Sequence, residues 1–235
     1  MDKRNDAKVL SKNMKLIAAV ILIGALCGLS EIFISEFLRI HNFPFRAGLL
    51  TGIGFGLIAI VIAIFRKPVL ALGIAAIAIF TKQLIVPFAG MAIGCKLNSC
   101  LAVGLEYGAL AAIAGIGFTS MQKNTRSRIA LSFGAAFLGA GLFRMIGMHV
   151  APCNYLRSFA TAAGFGSFMI REGLSWAVFS ATFFPIGWLV GERIRETSLD
   201  FMKTHPALYY SATLSLSALI FAIVAYYYSF LYNIG

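Results

Sequence analysis

The chain has 235 residues, 60% of them hydrophobic and only 12% charged, with a formal net charge of +11 and a mean hydropathy of +0.86. A soluble domain carries about 25% charged residues, so this composition excludes one. Apolar runs of about 20 residues recur along the chain, which excludes the alternating ten-residue strands of a membrane barrel and leaves an all-α integral membrane protein.

In chain order, the apolar runs predict spans over residues 15–38, 47–65, 69–88, 100–120, 129–149, 173–191 and 207–232. These make a six-helix core over residues 15–195, preceded by a basic segment (1–14) and followed by a loop and an appended seventh helix (196–235). The first run is as long as a full span and has no small-x-small site after it, so it reads as a retained helix and not as a cleaved signal. Leu26 in GALCG, bulky where a lipoprotein signal has a small residue, agrees. Small residues recur at helical spacing: Gly24 and Gly28; Gly48, Gly52 and Gly56; Gly104, Gly108 and Ala112; Gly139 with Ala135 and Ala136. In lipid such residues let backbones approach, so they mark helix packing. The short connections RKP and QKNTRSR predict that helices two and three, and four and five, are antiparallel neighbours. HVAPCNYLRSFATAAGFGSFMIREG, between helices five and six, reads as a lid or re-entrant cover. GERIRETSLDFMKTHP reads as the loop before helix seven, whose Tyr226, Tyr227, Tyr228 and Tyr232 suit an interfacial anchor.

Basic residues set the orientation. Lys3, Arg4, Lys8, Lys12, Lys15, Arg66, Lys67, Lys123, Arg126, Arg128, Arg193, Arg195 and Lys203 fall on one side, against Arg39, Arg46, Lys96, Arg157 and Arg171 on the other. By the positive-inside rule this predicts a multi-pass protein of the cell membrane with a cytoplasmic N-terminus and the C-terminus outside. The charge is therefore topological and does not imply a nucleic-acid partner, while the basic face suits anionic membrane lipids.

Ionisable groups within spans are costly, so their depth is informative. At a rise of about 1.5 Å per residue, Glu31 stands ~24 Å above Lys15, Lys82 ~21 Å above Pro68 and Arg144 ~24 Å above Arg128, and Glu106 lies ~9 Å below Cys100. All four share the outer third of the membrane, with Arg171 and Glu172 opening helix six near that level, while the inner half of each span is uncharged away from its ends. This pattern predicts a polar chamber open outward and sealed inward, unlike a continuous pore. Arg39, Arg46, Lys82, Lys96, Arg144, Arg157 and Arg171 outnumber Glu31, Glu36, Glu106 and Glu172 there by three charges. Such a chamber suits a carboxylate- or phosphate-bearing solute, with the amides of Gln83 and Asn98 for its other groups.

Cys95 and Cys100 share the outer side with Cys153 and His149. They read as a disulfide-stapled loop, as ligands of a metal ion such as zinc, or as unpaired packing cysteines; C-x4-C and H-x3-C leave all three open. Cys27 reads as an apolar filler in helix one. No C-x-x-C pair, Walker loop or histidine pair inside the bundle is present, and GIGFG at 52–56 lies within a hydrophobic run, so thiol–disulfide exchange, haem ligation and dinucleotide binding are not supported. No residue can be assigned a catalytic role.

A basic N-terminus, a first helix rich in small residues, a six-helix core and an outward polar chamber resemble the substrate-binding S subunits of energy-coupling factor transporters, which take up vitamins and related micronutrients. The resemblance covers roughly residues 10–195. It implies a small-molecule solute bound from outside, delivered on docking to a transmembrane coupling subunit driven by cytoplasmic ATPases. It places the docking face at Ala18, Ala19, Ala25 and Gly28. On this reading Glu31, Lys82, Glu106 and Arg144 form the inner ligand shell, Arg171, Glu172 and Asn98 its rim, and Tyr155, Phe159 and Phe165 the closing lid. The alternatives are an enzyme acting on a lipid-linked or thiol substrate at the outer leaflet, and a membrane assembly subunit.

Overall fold

The computed structural model describes residues 3–84 and 97–233, with side chains described over 13–84 and 97–227. Among these residues every regular element is helical: α1 (Lys3–Ile40), α2 (Arg46–Phe65), α3 (Leu70–Gln83), α4 (Leu97–Ile116), α5 (Phe118–Lys123), α6 (Thr125–Val150), α7 (Asn154–Arg157), α8 (Ala162–Phe168), a π-helical turn (Met169–Gly173), α9 (Leu174–Thr204) and α10 (Pro206–Asn233). Six helical stretches are long and apolar enough to cross a membrane: Asn13–Ile40, Arg46–Phe65, Leu97–Ile116, Thr125–Val150, Ala162–Thr204 and Pro206–Tyr227. α3 is a shorter apolar helix, and residues 85–88 of the span expected there lie outside the described residues. The chain is an all-α, multi-pass membrane protein.

Local sequence explains the breaks. Asn42 and Arg66 take left-handed backbone conformations, φ 51° and 56°, after α1 and α2; asparagine adopts this region at low cost. The Asn124 side chain accepts from the Arg126 N–H at 2.8 Å and caps α6. Pro206 starts α10, where its missing N–H goes unused.

Two boundaries differ from expectation. The sixth span begins at Ala162, because Thr161 caps α8 through the Gly164 N–H and the helix runs on through the π-helical turn into α9. The stretch GERIRETSLDFMKTHP is helical to Thr204, so α9 extends past the expected span and only His205 separates it from α10.

The helices close a ring in the order α1, α3, α4, α6, α9, α2, with α10 laid against α1. This is the expected six-helix core with an appended helix, but α2 and α3 are not close neighbours as their short connection suggested. Glycines decide the pairing. Gly48 meets Ser175, Gly52 meets Phe179, Gly187 meets Gly56 and Gly191 meets Ile60, so α2 and α9 pack backbone against backbone. Gly24 and Gly28 admit Ile77 and Thr81, drawing α3 onto α1. Gly139 of α6 lies on the Glu106 backbone of α4. In lipid such close approach supplies the dispersion contacts that hold helices together. Phe55, Ile58, Ile62, Tyr107, Leu110, Phe184 and Trp188 fill the ring. α10 contributes Val224 against Ile32, Tyr227 against Phe33 at 4.5 Å between ring centres, and a hydrogen bond from the Tyr209 hydroxyl to the Lys15 carbonyl. Tyr226 is exposed as an interfacial anchor would be, and the side chains of Tyr228 and Tyr232 lie outside the described residues.

Candidate functional site

The upper end of the bundle carries the α1–α2 turn, α7 and the π-helical turn; the lower end carries the α2–α3 connection and α5. At the lower end, Glu192 of α9 lies 3.4 Å from both Arg66 and Arg128, whose guanidinium groups sit over the Trp188 ring. Arg128 also donates to the Met121 carbonyl at 2.7 Å, and Arg195 to the Ile64 carbonyl. With Phe118 and Phe184 on Trp188, this network plugs the ring from below. Sequence reading placed these charges at span ends without seeing that Glu192 joins them.

In the upper half, the four residues expected as one ligand shell divide. Lys82 of α3 donates to Glu31 of α1 at 3.0 Å and to the Ser99 hydroxyl of α4. Glu106, one and a half to two turns below Ser99 on α4, is 4% exposed, lies within electrostatic reach of Glu31 and Lys82, and has the Thr51 hydroxyl of α2 beside it. Its Oε2 is buried without a hydrogen-bond partner. Arg144 does not join this group. It is buried and donates through Nε and Nη2 to the Phe159 carbonyl, fastening the segment above α6.

That segment, 151–161, is a pinned cap. Leu156 is fully buried and packs on Gly147, Phe159 packs edge-on against Phe168, and Gly164 lies on the Phe159 backbone. Phe165, expected to close a lid, is one of the residues of α8.

Beside the cap, the upper end opens into a cleft of about 370 Å³ lined by Arg39, Asn42, Arg46, Tyr155, Arg171 and Glu172. The Tyr155 hydroxyl donates to Glu172 Oε1, and Arg171 Nε stands 3.7 Å from the same oxygen. Partial burial, reinforced by the hydrogen bond to Glu172, pushes the hydroxyl of the half-exposed Tyr155 above its ordinary range, so it stays a neutral donor. Arg39 is held by Glu36 through two hydrogen bonds, whereas Arg46 makes no ion pair among the described residues. Asn42 reaches the cleft because the left-handed turn sets it between α1 and α2. An asparagine between two apolar runs is a turn signal, and the reading of charges alone passed over it.

The cysteines were expected as a disulfide, as metal ligands or as unpaired packing residues, and Cys95 lies outside the described residues. Among the described residues no disulfide joins Cys27, Cys100 and Cys153, and no group of histidine, cysteine or acidic side chains could hold a metal ion. Polar amides take the thiols instead: Gln83 Nε2 lies 3.2 Å from Cys100 Sγ, and Asn98 Nδ2 3.1 Å from Cys153 Sγ. His149 is exposed at the end of α6, and Cys95 and Lys96 lie outside the described residues. Gln83 and Asn98 thus bind neighbouring chain, away from the Arg39–Arg171 cleft. No family model matches this chain, and neither a curated protein nor a solved structure matches it.

Proposed function

We propose that the chain is a membrane transport subunit that takes a small anionic solute into the cleft at its upper end, and that this end faces outside the cell. The observation that carries this reading is the convergence of Arg39, Arg46 and Arg171 with a neutral Tyr155 donor and the Glu172 acceptor on one cleft. Guanidinium groups match carboxylate and phosphate oxygens in pairs, and Glu172 would accept from a hydroxyl or amine elsewhere on the ligand. The basic bias of the lower end supports an inward-facing plug and a cytoplasmic N-terminus.

The resemblance to S subunits supplies the energy source that this chain does not encode: a coupling subunit with ATPases. Ala18, Ala25 and Gly28 are buried, Gly28 on α3, so a coupling subunit would meet other residues of this bundle than that resemblance implied.

The test is calorimetric titration of detergent-purified protein with small carboxylates and phosphates, beside Arg46→Gln and Arg171→Gln. A charged hydrogen bond contributes about 1.5–3 kcal/mol, so each variant should weaken binding by at least about tenfold. Equal affinity in folded variants, or no anion bound at all, sinks the reading.

A further inference from the structure

The buried group at the α1, α3 and α4 contact plays no part in the cleft, and its charges do not balance. Glu31 and Glu106 are two carboxylates, and Lys82 is one ammonium. Lys82 already donates to Glu31 and to Ser99. Among the described residues Glu106 Oε2 has no hydrogen-bond partner, and it is sealed from solvent. Glu106 thus has only the Thr51 hydroxyl and a Lys82 shared with Glu31 to offset its charge, and a carboxylate with one oxygen unpartnered inside a membrane is costly.

Among the described residues, the elements packed around Glu106 supply no second cation. α1 presents Glu31, α3 presents Lys82, α2 presents the Thr51 hydroxyl, α6 meets it with Gly139, and the neighbouring Tyr107 of α4, facing Cys27 of α1, adds no positive charge. Arg144, farther along α6, is committed to the Phe159 carbonyl. Below this level the ring is filled by Tyr107, Leu110 and Phe184 down to the Arg66–Glu192–Arg128 plug, while the Ser99 hydroxyl stands above it.

We propose that this pocket binds one exchangeable monovalent cation, a proton or a sodium ion, at Glu106 Oε2, with the Glu31–Lys82 pair as its fixed wall. As a proton the cation turns Glu106 into a neutral acid and so removes the charge its surroundings do not balance. As sodium it draws on Glu106 Oε2 and the Thr51 hydroxyl oxygen. Either form neutralises the surplus charge, and both vanish with Glu106→Gln, which keeps the side-chain shape and is neutral without a cation.

The test is thermal unfolding of the full chain in detergent, wild type against E106Q, over a pH series and with sodium chloride exchanged for choline chloride at constant ionic strength. A wild-type midpoint that shifts with pH and ignores the salt exchange, with no such shift in E106Q, assigns a proton. A midpoint that rises with sodium at constant pH, again lost in E106Q, assigns sodium. Identical dependences in the two proteins overturn the site. A second measurement on the wild type alone guards against a variant that does not fold: dicyclohexylcarbodiimide, which adds the protonated carboxyl across its C=N bond and rearranges to a stable acylurea with nothing lost. Acylurea at Glu106, suppressed by alkali or by sodium, supports the site, and its absence from Glu106 overturns it.

Discussion

A Cβ on Gly187 would stand 2.0 Å from the Gly56 carbonyl oxygen. The contact lies between two backbones, which cannot yield as a flexible side chain can. Gly187→Ala should therefore lower stability by about 1–3 kcal/mol, the ordinary cost of overpacking. At Gly108 an added Cβ meets nothing within 4 Å, so Gly108→Ala should be neutral or slightly stabilising. Thermal midpoints of the two variants in one detergent check the contrast, and equal midpoints would refute it.

The Glu31–Lys82 pair should behave as a buried ion pair. Removing one partner, as Lys82→Met or Glu31→Gln, strands the other and should cost about 3–5 kcal/mol. The double variant should recover a large part of that loss. Four midpoints form the double-mutant cycle, and additive losses would show that the pair is not coupled.

Arg144→Met should release the cap without touching the cleft's arginines. Its two hydrogen bonds to the Phe159 carbonyl are lost, so amide exchange over residues 151–161 should rise while α2 and α9 stay protected. Unchanged exchange in the cap would mean that Leu156 and Phe159 hold it by packing alone.

Tyr155 gives a pH signature. Its hydroxyl is held above the ordinary tyrosine range by burial and by Glu172, so the stability it contributes is complete below about pH 10 and fades as pH climbs toward the raised value. Between about pH 9 and 11 the wild type should lose more stability than Tyr155→Phe. Parallel losses in unfolding scans would mean that the Glu172 contact does not hold this hydroxyl.

Depth along each helix was legible in the sequence, because length and a fixed rise set it. Glu31, Lys82 and Glu106 do meet at one level. Rotation about the helix axis was not legible, which is why Arg144 turns up to the cap instead of into that group. Neighbour choice was half legible: Gly48, Gly52 and Gly56 announced a close contact but could not name α9 as its partner. The segment after Val150 read as a loop because its glycines and aromatics show no apolar stripe, yet the Thr161 cap starts a helix there that the π-helical turn joins to α9. Sidedness of the cysteines was legible but partners were not, because shared sidedness is not proximity: the partners at Cys100 and Cys153 are the amides of Gln83 and Asn98.

The glycine seam between α2 and α9 has a mechanical consequence. Two helices interlocked through their main chains along most of a membrane's thickness form one stiff panel. The ring's less extensive joints lie elsewhere, at α1 against α2 and α3 against α4. Should the ring breathe, α1, α3 and α10 would swing together as a leaf hung on that panel.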